Sequence, residues 1–245
     1  MNFENKVVIV TGGSAGIGAK TSILFSQNGA NVVIVGRNEK KLNDVASKCK
    51  KKPLVVKADV TIEEDVKRII SKTVEAFGKI DVLVNNAGLL RFGSIESEDI
   101  LEVYDELMKT NVRSVIHLTK LAVPYLIESK GNIVNVSSIA GLRATTASTA
   151  YGMSKAALNR LSQTLAVDLI KKGVRVNAIC PGPVRTDMLD NGVMDAKFWE
   201  ESSPTGRIAE PEEIGDLIMF LASDKAKSIT GVLYVCDNGE SIPKK

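Results

Sequence analysis

The feature that most restricts the fold is a series of short Val- and Ile-rich runs without polar alternation. They are Val7–Val10, Val32–Val35, Leu54–Val56, Val82–Val84, Ile133–Val136, Val174–Ile179 and Val232–Val235. A strand that is apolar on both faces must be buried on both faces, which marks a parallel sheet covered by helices. Longer amphipathic stretches fall between the runs and predict helices over 16–28, 39–50, 63–77, 100–130, 151–171 and 211–222. Regular strand–helix alternation, with no linker, low-complexity segment or repeat to break it, predicts one doubly wound α/β domain over residues 1–245 with a seven-stranded parallel sheet. Residues 186–205 do not fit the alternation. Their apolar residues Met188, Leu189, Val193, Met194, Phe198 and Trp199 sit among Asp and Asn, and so long a loop in a compact domain is expected to act as a substrate lid.

Composition excludes several classes. The 32 basic and 29 acidic residues are mixed along the chain, without the basic patch of a nucleic-acid binder. No basic segment with an apolar stretch and cleavage site precedes the first run, and no run approaches a membrane span, so a cytoplasmic location is expected. Cys49, Cys180 and Cys236 are odd in number and widely spaced, which suits reduced thiols. The single histidine, His117, lies in an apolar helical run and is expected to be structural; no metal is expected.

The first run ends in Thr11-Gly12-Gly13-Ser14-Ala15-Gly16-Ile17-Gly18, followed by a predicted helix. Glycines there permit a tight turn and close backbone approach to a pyrophosphate, which the free N–H groups of the helix N-terminus attract. After the second run, position 36 is Gly, so the acid that would accept from a ribose 2′-OH is missing. Arg37 follows, able to fork onto a 2′-phosphate, with Ser14 and Asn38 as further donors. This predicts NADP(H) rather than NAD. Tyr151 and Lys155 stand four apart in a helical stretch and so share one face. An ammonium beside a phenol favours the phenolate, so the tyrosine is expected to titrate toward neutrality and to act as general acid and base.

Together these segments resemble the short-chain dehydrogenase/reductase family. Thr11–Gly18 is similar to its TGxxxGIG turn, Asn85-Asn86-Ala87-Gly88 to its NNAG, Tyr151–Lys155 to its YxxxK, and Pro181-Gly182 follows the sixth run as in the family. Gly206-Arg207-Ile208, Pro211–Ile214 and Ser228–Gly231 bring the single-domain branch that includes 3-oxoacyl-[acyl-carrier-protein] reductases closest. The resemblance implies a Rossmann fold and a nicotinamide dinucleotide held by Gly12, Ser14, Gly16, Ile17, Gly18, Arg37, Asn38, Asp59, Val60, Asn86, Ala87, Gly88, Tyr151, Lys155, Pro181, Gly182, Val184 and Thr186. It also implies catalytic roles for Asn111, Ser138, Tyr151 and Lys155. Ser138 and Tyr151 would hold a carbonyl oxygen, Lys155 the ribose, and Asn111 a water; Ser137 is the neighbouring alternative to Ser138. Two departures stand out: Ala15 occupies a position where NADP-using relatives carry a basic residue, and Asp237-Asn238-Gly239 replaces the usual DGG.

Leu90, Phe92, Ala140, Leu142, Met188, Leu189 and Phe198 are the candidate substrate lining and suggest a hydrophobic ketone or alcohol. A 3-oxoacyl thioester, a steroid or ecdysteroid, a retinoid and a xenobiotic carbonyl all remain open. So do an NAD-dependent alcohol dehydrogenase and, in another class, an NADP-sensing regulator without turnover. Family relatives imply a homotetramer, with a dimer as the alternative.

Overall fold

The computed structural model describes residues 1–146, 148–189 and 196–242. Seven parallel strands form one sheet: β1 Val7–Thr11, β2 Asn31–Gly36, β3 Leu54–Lys57, β4 Val82–Asn85, β5 Asn132–Val136, β6 Arg175–Pro181 and β7 Leu233–Cys236. Their order is β3-β2-β1-β4-β5-β6-β7, so the chain reverses direction across the sheet between β1 and β4. Ligand crevices open at such a switch point, outside the C-terminal ends of the strands.

The period-2 alternation of strands divides the core in two. Val8, Val10, Ile34 and Val84 point to one face, where they pack with Phe25 of α1 (Gly16–Gln27), Leu42 of α2 (Glu39–Ala46) and Ile218 of α8 (Pro211–Ala222). Val7, Ile9, Val35 and Leu83 point to the other. There they meet Ile69 of α3 (Glu63–Phe77), Leu118 of α5 (Ser114–Ser129) and Ala166 of α6 (Thr149–Leu169). Every residue of β1, β4 and β5 is buried, which is why these runs carry no polar alternation.

Helix ends follow local chemistry. α3 begins with Glu63, Glu64 and Asp65 in its first turn and stops at left-handed Gly78 (φ 71°). α8 opens on Pro211, with the Glu213 carboxylate accepting from the Glu210 N–H at 2.8 Å. α2 stops at Ala46 rather than reaching Lys50, because Lys48, Lys50, Lys51, Lys52 and Pro53 follow. The predicted 100–130 helix is divided. α4 (Ile100–Met108) passes through a π-turn, Lys109–Arg113, into α5. The 186–205 excursion contains a short helix, α7 (Ala196–Ser202); Val193 and Met194 of the expected lid lie outside the described residues. His117 is half-buried on α5, within electrostatic reach of Glu63.

Candidate active site

A cleft of about 540 Å³ opens at the switch point, against the turn after β1. Gly12, Ser14, Gly16, Ile17, Arg37, Asp59, Val60, Asn86, Ala87, Gly88, Leu90, Thr186 and Met188 line it. The turn is held by the hydroxyl of Thr11, whose anchoring role the TGxxxGIG spacing does not reveal. Thr11 Oγ1 accepts from the Asn86 and Ala87 N–H groups, both at 3.0 Å, and lies 3.3 Å from the Val84 carbonyl to which it donates. Asn86 Nδ2 donates to the carbonyls of Thr11 and Gly12 at 2.9 and 3.3 Å. Two glycines are obligatory in this packing. Gly12 has φ +66°, and a Cβ on Gly18 would lie 2.3 Å from the Gly12 carbonyl oxygen. The two glycines therefore let the turn close tightly against Asn86 and Ala87 at the N-terminus of α1. This fits a pyrophosphate, which needs close approach to backbone N–H groups at a helix N-terminus.

At the far end of the cleft the Arg37 side chain is 80% exposed, with the Asp59 carboxylate 3.9 Å away. A Cβ on Gly36 would meet Ser14 Oγ at 3.3 Å, so an acid at that position would crowd the turn. Asp59 accepts from the Thr61 N–H and hydroxyl, both at 2.8 Å, closing the turn that presents Val60. Asn38 is not among the lining residues; its side chain caps α2 by accepting from the Lys41 N–H at 3.0 Å. Across the cleft, Lys41 reaches Asp187 at 2.9 Å, beside Thr186, whose methyl a Cβ on Gly16 would approach to 2.8 Å.

Beside the cleft lies a polar cluster. Ser138 follows β5, where its Oγ accepts from the Ala140 N–H at 3.1 Å and lies within electrostatic reach of the Tyr151 hydroxyl. Ser137 turns the other way and donates to the Lys155 carbonyl at 3.2 Å, so Ser138 is the serine that faces Tyr151. Lys155 is 5% exposed. Its Nζ donates to the Val136 carbonyl at 3.0 Å and sits 5.7 Å from the Tyr151 ring centroid. A Cβ on cleft residue Gly88 would stand 3.5 Å from that Nζ, which ties the cluster to the cleft. Burial lowers the Lys155 ammonium from 10.5 to about 8. Burial raises the Tyr151 phenol to about 12, with nearby Ser138 opposing it. The expectation that Lys155 brings the phenol toward neutrality is therefore corrected in this arrangement. The ammonium is spent on a backbone carbonyl, and desolvation outweighs what charge it offers the ring.

Asn111 lies in the π-turn. Its Oδ1 accepts from the Leu89 N–H at 2.8 Å, and its Nδ2 donates to the Leu89 carbonyl and to Ser154 Oγ, both at 3.0 Å. Its side chain thus joins α6 to the strand-end loop. Glu106, Lys109 and Thr110 also line the cleft, and nothing in their sequence context marks them. The buried thiol of Cys180 donates to Asn159 Oδ1 at 3.5 Å and, beside Lys155, is pushed up to about 11 by burial.

Other expected residues stand apart from the cleft lining. Pro181 and Val184 are buried, and Gly182 donates to the Cys236 carbonyl at 3.1 Å, against β7. Phe92, Ala140 and Leu189 are half-buried; Leu142 and Phe198 are exposed, Phe198 lying edge-on to Trp199.

Residues 12–241 match the family model described as enoyl-(acyl carrier protein) reductase. The chain is 35% identical to the 3-oxoacyl-[acyl-carrier-protein] reductase of Thermotoga maritima, over 98% of this chain and 99% of that protein. Among solved structures, glucose dehydrogenase of Caenorhabditis elegans in its apo form is 40% identical, with TM-score 0.87 over 99% of this chain and 100% of that one. The 3-ketoacyl-(acyl-carrier-protein) reductase of Brucella melitensis, complexed with NADH, is 32% identical, with TM-score 0.92 over 98% and 100%. The chain belongs to the short-chain dehydrogenase/reductase family, and is an oxidoreductase of CH–OH and C=O groups that uses a nicotinamide cofactor.

Proposed function

We propose that the protein reduces a hydrophobic ketone with NADPH, or runs the reverse oxidation, with Tyr151 as the proton donor. The observation that carries this is Ser138 facing Tyr151 beside buried Lys155, adjoining a cleft fitted to a dinucleotide.

The turn Gly12–Gly18 would hold the pyrophosphate, Arg37 the 2′-phosphate, Asp59 and Val60 the adenine, and Asn86–Gly88 with Tyr151 and Lys155 the riboses. Pro181, Gly182, Val184 and Thr186 would flank the nicotinamide; Asn38 contributes by capping the helix behind Arg37. When bound, the reduced nicotinamide supplies a hydride to the carbonyl carbon. The protein's own task is to place the carbonyl and to manage one proton. The Ser138 hydroxyl lies within electrostatic reach of the Tyr151 hydroxyl, and a carbonyl oxygen between the two would accept from both. Burial keeps the phenol protonated at neutral pH, which is the form that donates. As the phenol hands its proton to the substrate oxygen, the Lys155 cation stabilises the phenolate left behind. The Asn111 side chain is committed to Leu89 and Ser154, so any water it holds for Lys155 must bond its backbone.

Leu90 in the cleft supports a hydrophobic substrate, with Phe92, Ala140, Leu142, Met188, Leu189 and Phe198 as the proposed surrounding surface, and residues 186–205 as its lid. The kinship with an acyl-carrier-protein reductase favours a 3-oxoacyl thioester within that class. An NAD-linked reading has one observation in its favour, the NADH bound by the Brucella relative; exposed Arg37 weighs against it. Exposed Tyr234 and Val235 on edge strand β7, with Val167 and Ile170 at the end of α6, support assembly as a homotetramer. A cytoplasmic location agrees with three free thiols. No helix among the described residues is long and apolar enough to cross a membrane.

The test is a panel of ketones followed by nicotinamide absorbance, with acetoacetyl thioesters among them. Tyr151→Phe is expected to abolish turnover and to leave nucleotide affinity within about twofold, since one hydroxyl is removed from a site of many contacts. Full turnover in that variant removes the proposed acid. Nucleotide binding without turnover of any panel member would favour a sensing role.

A further inference from the structure

Ser138 caps a short 3-10 turn, Ile139–Gly141, in the segment between β5 and α6. The turn is one hydrogen-bonded unit. The Gly141 N–H donates to the Ser138 carbonyl at 3.1 Å, and the Leu142 and Arg143 N–H groups donate to the Ile139 carbonyl at 2.9 and 3.0 Å. The Ser138 hydroxyl oxygen accepts from the Ala140 N–H. Ser138 therefore moves where the turn moves.

The turn lies directly on α6, backbone against backbone. A Cβ on Gly141 would stand 2.6 Å from the Lys155 carbonyl carbon, 2.7 Å from the Ala156 nitrogen and 2.8 Å from Asn159 Nδ2. A Cβ on Gly152, next to Tyr151, would stand 3.0 Å from the Ala140 carbonyl oxygen. The contact thus runs along the stretch of helix that holds Tyr151 and Lys155. Its surroundings are fixed. Asn159 is 4% exposed and accepts from the Cys180 thiol, and the Lys155 carbonyl accepts from the Ser137 hydroxyl at 3.2 Å. Neither Gly141 nor Gly152 has a positive φ. Alanine is not barred from either position by its torsion angles, so what both require is nearness to the facing backbone.

We propose that Gly141 is a positioning residue: the bare approach of its Cα to the α6 backbone sets how near Ser138 stands to Tyr151. This role rests on Ser138 and Tyr151 holding the substrate carbonyl. A methyl group at position 141 cannot rotate away, and two of the three atoms nearest to it are main chain. Carbon atoms pack at about 3.5 Å or more, so from 2.6 Å the turn must lift by roughly 0.9 Å and carry Ser138 with it. A displacement of that size beside the reacting group costs about a hundredfold in rate.

Gly141→Ala, Ser138→Ala and the double variant test it, with the panel ketone that wild type turns over fastest. Gly141→Ala is expected to lower kcat about a hundredfold and to leave nucleotide affinity within about twofold. Added to Ser138→Ala, it is expected to cost no more than about twofold further, because the serine it would misplace is gone. A merely structural role would not be erased in this way. The crystal structure of Gly141→Ala is expected to show Ser138 drawn back from Tyr151 by roughly 0.9 Å. If Gly141→Ala does not fold, Gly152→Ala takes its place, with the smaller loss that its 3.0 Å contact predicts and the same erasure by Ser138→Ala. Full turnover in Gly141→Ala while Ser138→Ala is impaired overturns the proposal alone. So does a loss as large in the Ser138→Ala background as in wild type, or a crystal structure with Ser138 unmoved. Full turnover in Ser138→Ala removes the reading of the site, and this role with it.

Discussion

Replacing Lys155 by Met is expected to make the protein more stable and inactive. The ammonium is buried, and burial lowers it from 10.5 to about 8. Because the folded value lies below the unfolded one, the unfolded chain binds more protons between about 8 and 10.5. The penalty for burying this charge is thus complete below about 8 and fades as pH rises toward 10.5. At about 1.4 kcal/mol per pH unit, it amounts to roughly 3 kcal/mol at neutral pH. Losing the bond from Nζ to the Val136 carbonyl returns about 1 kcal/mol of that. The net gain is about 2 kcal/mol, or roughly 5 °C in melting temperature for a domain of this size. Urea unfolding without nucleotide, at neutral pH and near pH 10, measures it. The gain is expected at neutral pH and should shrink to about nothing near pH 10. A variant less stable at neutral pH, or one whose gain is the same at both, would refute the assignment of a buried, costly cation retained for function.

Arg37→Ala is expected to weaken NADPH at least about tenfold more than NADH, the loss of one charge-assisted phosphate contact; equal weakening of the two would sink the 2′-phosphate assignment. Gly18→Ala is expected to abolish nucleotide binding while the chain still folds, since its Cβ would press within 2.3 Å of the Gly12 carbonyl and deform the turn; circular dichroism with a fluorescence titration checks both halves. For ketone reduction, kcat/KM is expected to fall above pH about 8 as Lys155 loses its proton, with no further loss from Tyr151 until near 12. A profile flat to pH 10 would mean that the charge on Lys155 is not needed.

Much of the architecture is legible in the order of residues because burial on both faces leaves so plain a mark. The span of α3 is predicted to the residue, as is that of α8, where acidic first turns, Pro211 and Gly78 punctuate an apolar periodicity. The π-turn at Lys109–Arg113 is not legible, because one extra residue in a helix does not disturb an apolar stripe enough to show. At the site, the motif spacing places Ser138, Tyr151 and Lys155 together. It cannot reveal how deep they lie, and depth decides the sign of the shift on Tyr151. The anchoring role of Thr11 is not legible for a different reason: a threonine ending a strand has many uses, and its grip on Asn86 and Ala87 depends on a strand 73 positions later in the chain.

The extra residue held between α4 and α5 sets how the two helices are phased. A helix advances about 100° per residue, so deleting Thr110 and letting the segment relax to regular α geometry would swing one helix about a third of a revolution relative to the other. Either the exposed side of α4 turns inward or Asn111 swings away from Leu89 and Ser154. The length of this irregular turn thus sets where Asn111 sits beside the proposed proton-transfer residues.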